Sequence, residues 1–264
     1  MSRVGRGYAV HTALSAYVAA VAELPVSAAL ADDARGAVVV IPGSGNWWQG
    51  MLAARSGGAS AVVLADPAVL PREAFVSSPW PGDVPVIVER PRLRPDVVAD
   101  AVAARRGSPA RIITVECTAP AASLDAVILD GFGWARSLAQ SPMRFQAGIA
   151  TARGRMALLD CDSLDGGAPP ATLVGTAAGG LHAGGLLQVL ALGEVRTELT
   201  VDQPAGLTRL ETSTEQGALR APERYESSAR LALRRAVESC SEGPVTDLDE
   251  LLEDMALTWA LLDA

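Results

Sequence analysis

Residues 36–43 read Gly36-Ala37-Val38-Val39-Val40-Ile41-Pro42-Gly43. The run from Ala37 to Ile41 is apolar without a break, mostly β-branched, and closed by Pro-Gly. Strict alternation would mark a strand with one wet face. An unbroken run marks a strand covered on both faces, as in a parallel sheet. Outward toward the C-terminus, Asn46 is placed to cap a helix over 47–55, which Gly57-Gly58 ends. Ala59–Leu64 (ASAVVL) and Val84–Val88 (VPVIV) repeat the apolar pattern. Pro95 opens a further helix to Arg106, and Ala110–Glu116 (ARIITVE) reads as another strand. Toward the N-terminus, Thr12–Leu24 is an Ala-rich helix, and Val26–Arg35 is predicted as a second short one. Strands alternating with helices point to a doubly wound parallel sheet with right-handed crossovers.

The pattern changes beyond residue 120. Ser123–Ala139 is predicted helical, although Gly131 and Gly133 weaken it. Met143–Ala152, Arg155–Asp160, Ala171–Ala177, Gly185–Leu192, Val195–Val201 and Leu207–Thr212 are short runs with partial alternation, punctuated by Gly and Pro. That habit belongs to an antiparallel sheet with one covered face. Pro222–Ser239 and Asp247–Asp263 read as closing helices, with Asp247 as cap and Glu250 at capping-box spacing. The fold class is therefore α/β: a truncated Rossmann-like parallel sheet over residues 1–120, then an α+β domain with an open, mainly antiparallel sheet over 121–264.

Composition narrows the partners. The chain has 264 residues, 49% hydrophobic but only 4% aromatic, so Ala, Val and Leu must fill its cores. A net charge of −8 and a pI of about 4.9 repel nucleic acid and anionic membrane, and neither is expected as a partner. All 22 basic residues are Arg, so no lysine Schiff base or lysine proton donor can form. Arg105-Arg106 and Arg234-Arg235 read as solvated helix faces. Three widely spaced Cys form neither a disulfide framework nor a zinc pattern, and no metal site is expected. The N-terminus carries no signal-peptide or spanning pattern, which leads to an expected cytoplasmic location.

The order and spacing of these elements resemble the Gfo/Idh/MocA family, the relatives of glucose–fructose oxidoreductase and inositol dehydrogenase, from about Val26 to the C-terminus. Gly36–Pro42 looks like the family strand that ends in Pro beside the nicotinamide. Ala61–Leu70 (AVVLADPAVL) looks like the strand ending in Glu-Lys-Pro, and Val84–Val97 (VPVIVERPRLRPDV) resembles the next strand and loop. The resemblance implies NAD(P), a catalytic Lys and His, and sheets that pack on one another in an oligomer. The departures concern the chemistry. Only Met1–Val4 precede Gly5-Arg6-Gly7, and Val10 stands at the third glycine position, so the first βαβ unit is expected to be largely deleted. Ala65-Asp66-Pro67 replaces Glu-Lys-Pro. Gly133 and Arg136 stand where the family's G-x-H-x-x-D has His and Asp. His11 and His182 are the two remaining imidazoles, with His182 read as a solvated turn residue.

Ligands of such sheets bind at the carboxyl ends of the strands. Candidate cofactor contacts there are Pro42, Ser44, Asn46 and Trp47. The Gly43–Asn46 turn either offers backbone N–H groups to an anion or is an ordinary capped turn. Trp47 and Trp48 cannot share one helix face. Either one of them reaches a pocket or partner, or both are core. Asp66 and Glu89 are candidate acid and base. Arg90, Arg92 and Arg94, with Trp134 and Arg136, are candidate ligand contacts, unless the first three simply pair with Asp66 and Glu89. The expected function is a non-catalytic or repurposed relative, a partner subunit or small-molecule binder needing no cofactor. The alternatives are an active NAD(P)-dependent oxidoreductase on a sugar, cyclitol or imine with relocated residues, and a cofactor-free enzyme using Asp66 and Glu89. Association is expected through the open sheet, with a second copy or with an active relative.

Overall fold

A computed structural model describes residues 7–24, 28–76, 79–161, 169–179, 184–240 and 245–264. The chain forms two compact units, Met1–Arg90 with Arg224–Glu250, and Pro91–Glu223 with Leu251–Ala264. The first boundary thus falls at residue 90 rather than near 120, and the first unit takes back a segment from the far end of the chain.

The first unit contains β1 (Tyr8–His11), α1 (Ser15–Glu23), β2 (Ala28–Leu30), β3 (Val38–Pro42), α2 (Trp47–Ser56), β4 (Ala61–Ala65), α3 (Glu73–Val76) and β5 (Val86–Glu89). Its sheet runs β2-β1-β3-β4-β5, and every pairing is parallel. Two expectations are corrected here. The first βαβ unit is present, reduced to strands of four and three residues around a nine-residue helix. The predicted helix over 26–35 contains β2, where Tyr8↔Ala28 and Val10↔Leu30 pairing overrides local alanine propensity.

One sheet face packs α1 and α6 (Ser228–Ser239). Val10, Val38, Val40, Val63 and Ile87 meet Tyr17, Ala20, Ala229, Ala232, Leu233 and Ala236. Alanines at the contact let both helix backbones lie close to the strands. Right-handed crossover places α2 on the other face, where it packs on β3 and β4. Trp47 and Trp48 are 1% and 2% exposed, so both are core. They stack edge-on with Phe75 and Trp80 at ring separations of 4.7–6.4 Å. The indole of Trp47 donates to the Ala68 carbonyl at 2.9 Å. The edge strand β5 is closed off by Asp247, the first residue of α7 (Asp247–Leu262). Its carboxylate accepts from the Val88 N–H at 3.0 Å and from Arg235 at 2.7 and 2.8 Å. The capping spacing was read one residue late, because the Thr246 hydroxyl is what meets the Glu250 carboxylate, at 2.9 Å.

The second unit contains α4 (Pro95–Ala104), β6 (Ala110–Ala119), α5 (Ala121–Ala139), β7 (Met143–Ala150), β8 (Gly154–Cys161), β9 (Ala171–Ala177), β10 (Leu186–Gly193), β11 (Arg196–Asp202), β12 (Leu207–Thr214) and β13 (Gly217–Arg220). The sheet order is β13-β12-β11-β10-β6-β9-β8-β7. β6, expected in the first sheet, sits at the centre of this one, parallel to β9 and antiparallel to β10. α5 runs unbroken through Gly131, because the missing side chain brings the helix onto the sheet. A Cβ at Gly131 would stand 2.9–3.0 Å from Leu173, Cys117 and Val115. Gly175 on β9 does the same beneath Ile128. Among the described residues, no helix of this unit covers the opposite face, which carries Thr114, Glu116, Gln188, Thr200, Met156 and Leu158.

Candidate functional site at the carboxyl ends of the first sheet

Lateral growth of the first sheet reverses between β1 and β3, and the crevice at such a reversal is where open α/β sheets bind ligands. The loop after β1 is Thr12-Ala13-Leu14 and holds no glycine. The glycine pair of the sequence precedes β1: Gly7 is exposed there, and Gly5, like His182, lies outside the described residues. His11 ends β1, and its Nδ1 lies 3.0 Å from the Ala31 carbonyl just past β2, bridging the two loops. Asp32 and Asp33 follow on the surface.

Tyr17, in the first turn of α1, crosses the strand ends on the α1–α6 face. It is 2% exposed, and its hydroxyl donates to Glu89 Oε2 at 3.1 Å. Burial pushes its phenol pKa far up, and the neighbouring Glu89 and Asp66 carboxylates push in the same direction. Tyr17 is therefore a fixed neutral donor. Glu89, half-buried at the end of β5, is the acceptor it orients.

Asp66 follows β4 and is exposed. Its φ is +47°, in the left-handed region that Asp tolerates better than most residues. Proline at position 67 narrows its choices further. Gly43 explains the tight fit: a Cβ there would come within 2.4 Å of the Ala65 and Asp66 carbonyl oxygens. The Gly43 N–H donates to Ala65 at 2.7 Å, and the Ala68 N–H donates to Gly43 at 2.9 Å. Pro42 and Ser44 lie exposed on this turn. Asn46 caps α2 by accepting from the Gln49 N–H at 3.3 Å. Of the cofactor candidates, Trp47 is core, Asn46 is a cap, and Pro42 and Ser44 remain at the site beside Asp66 and Glu89.

The candidate arginines divide between the two units. Arg90 is a buried residue of the first unit, while Arg92 and Arg94 belong to the second. Arg92 Nε meets Asp130 at 2.6 Å with both side chains buried, and Arg92 Nη1 meets Gln203 at 2.5 Å. The Trp134 indole donates to the Arg92 carbonyl at 2.7 Å. Arg94 pairs with Asp96 at 2.8 Å. Arg136 pairs with the fully buried Asp254 at 2.9 Å. These side chains tie the second unit together. Asp130 and Asp96 are carboxylates that the sequence reading did not pair with Arg92 and Arg94. The sequence reading missed Tyr17 and Asp130. The signal for Tyr17 was a lone aromatic on the inner face of an alanine helix.

Among the described residues no group of His, Cys, Asp and Glu could hold a metal ion, and no helix is long and apolar enough to cross a membrane. No protein-family model matches the sequence, and no curated protein matches it. Solved structures do match the fold. A 3-ketoreductase from Actinomadura kijaniata, in complex with TDP-benzene and NADP, has a TM-score of 0.67 at 14% identity over 97% of each chain. A dehydrogenase from Clostridium difficile has a TM-score of 0.64 at 9% identity over 97% of this chain and 89% of its own. An oxidoreductase from Sinorhizobium meliloti has a TM-score of 0.64 at 12% identity over 98% and 97%. The chain therefore has the two-sheet fold of these oxidoreductases.

Proposed function

We propose that this chain is a repurposed relative of the Gfo/Idh/MocA oxidoreductases that binds a small neutral or cationic molecule at the carboxyl ends of β3–β5 without NAD(P). The observation that carries the reading is the glycine-free β1–α1 loop, bridged by His11 and followed by Tyr17 laid across to Glu89. A pyrophosphate needs close backbone approach and free N–H groups at that helix start. The residues that end or directly follow the strands add Asp32, Asp33, Asp66 and Glu89, which disfavour a dianion. No lysine exists to take the family's proton-transfer role. At the position of the family His, the Trp134 region serves internal hydrogen bonding.

The test is a titration with NADH and NADPH, followed by reduced-nicotinamide fluorescence and thermal unfolding. No saturable fluorescence change and no rise in Tm at millimolar dinucleotide is expected, whereas a ligand at a hundred times its Kd would add about 2.7 kcal/mol. Saturable binding with turnover of a polyol overturns the reading.

A second reading has its own support. Asp32 and Asp33 lie about 20 residues past β1, at the end of β2, where an acidic residue accepts the ribose hydroxyls of NAD. Under it the chain is an active dehydrogenase of a sugar, cyclitol or imine, with NAD preferred over NADP. We also propose that the open face of the second sheet associates with a second copy of the chain or with an active relative.

A further inference from the structure

The open face of the second sheet is not uniform. Its β7–β8 end carries the exposed apolar side chains of Ile149, Met156 and Leu158. On β11 and β12 the charges are already paired along their own strands, Arg196 with Glu198 at 2.7 Å and Arg209 with Glu211 at 2.8 Å. Between these regions, and reaching Arg196 and Glu198, lies a cavity of about 190 Å³. Its lining comes from three adjacent strands, and strand pairing fixes the arrangement. Glu116, Gln188 and Thr200 stand opposite one another in one row across β6, β10 and β11. Thr114, Leu190 and Glu198 form the next row. Alternation along each strand turns both rows to the same face. Rows so placed are about 7 Å apart along the strands, and their members about 4.8 Å apart across them.

Four of the lining side chains are unengaged. Among the described residues, Thr114, Glu116, Gln188 and Thr200 make no side-chain hydrogen bond and no ion pair. Leu190 gives this polar ring an apolar centre. The charges are Glu116 and Glu198 against Arg196, one carboxylate in excess. That excess repels an anion, and a cation would meet the Arg196 guanidinium. The hydrogen-bonding chemistry is mixed. Carboxylates only accept, the guanidinium only donates, and the amide and the two hydroxyls do both. A hydroxyl is the neutral group that answers all of these, because it donates and accepts through one atom. The volume is that of about six waters at ~30 Å³ each, which limits the occupant to one small molecule or one unit of a larger one.

We propose that this cavity on β6, β10 and β11 binds a neutral polyhydroxylated molecule, independently of the site at the strand ends of the first sheet. Ligand hydroxyls donate to Glu116 and accept from the Gln188 amide, while Thr114 and Thr200 take either role. The test is a titration of the isotope-labelled whole chain with sorbitol and with methyl glucoside, followed by backbone amide chemical shifts. Saturable shifts are expected on β6, β10 and β11. Gln188→Ala and Glu116→Ala are each expected to weaken binding about ten-fold, the worth of one hydrogen bond. Their Tm is expected to stay unchanged, since both side chains are exposed. Tyr17→Phe is expected to leave the affinity as it is, which separates this cavity from the candidate site. The same titration on the Met156→Arg, Leu158→Arg chain removes any second copy lying over the face. Shifts linear with concentration in both the wild type and that chain would overturn the proposal. So would full affinity in Gln188→Ala and Glu116→Ala, saturable shifts confined to the ends of β3, β4 and β5, or saturation of the cavity by ethylammonium in place of either polyol.

Discussion

Tyr17 is the residue on which the site turns, because it couples a helix start to the end of β5, the third strand along the sheet from β1. Replacing it by Phe keeps the packing and removes only the hydroxyl that serves Glu89. The expected cost at pH 7 is about 1–2 kcal/mol, as for a hydrogen bond to a charged group that water can partly replace. The pH dependence has a definite sign. The folded pKa is raised, so the contribution is whole below the unfolded value near 10 and is lost as pH climbs above it. Wild type is expected to lose stability on the alkaline side by up to about 1.4 kcal/mol per pH unit more steeply than Tyr17→Phe. Denaturant melts from pH 8.5 to 11.5 check this, and parallel curves would mean that the phenol ionises as readily folded as unfolded.

The elements were the most legible part of the sequence. Uninterrupted runs located β3 and β4, and partial alternation located β7 to β12 almost to the residue. Two assignments failed for tertiary reasons. Ala28–Leu30 has no pattern of its own and becomes a strand only because β1 is beside it. Ala110–Glu116 looks the same whether its partners are parallel or antiparallel, and its place beside β9 and β10 is settled by residues some sixty to eighty positions later. The candidate site was legible at Asp66 and Glu89, since strand ends follow from strands. The carboxylates beside Arg92 and Arg136 were not legible, because each sits far away in sequence on α5 or α7. Their energetics are testable at this scale. Arg92→Met alone takes from the buried Asp130 its guanidinium neighbour at 2.6 Å, and is expected to cost about 3–5 kcal/mol. The double change Arg92→Met with Asp130→Leu is expected to recover most of that in chemical denaturation. A double variant as unstable as the sum of the single changes would show that the pair does not act as a unit.

At the scale of the whole molecule, the open face of the second sheet carries exposed apolar side chains. Its β7–β8 end exposes Ile149, Met156 and Leu158 at 56%, 52% and 46%. Met156 pairs directly with Ile149 on one side and Val174 on the other, so the apolar area is contiguous, a common mark of an association surface. Light scattering on the wild-type chain is expected to return a dimer or higher mass. Met156→Arg with Leu158→Arg is expected to return the monomer with Tm nearly unchanged, since neither side chain is core. A monomeric wild type would remove self-association from the reading and leave the partner subunit. The order in which the chain is made adds a last consequence. The α1–α6 face of the first sheet is completed by residues 228–239, while the rest of that sheet is finished by Glu89. During synthesis the apolar face of β3, β4 and β5 must wait for about 150 residues, roughly 7–30 s at 5–20 residues per second. A nascent chain stalled or truncated in that interval carries an uncovered apolar surface, which makes it a natural client for a chaperone.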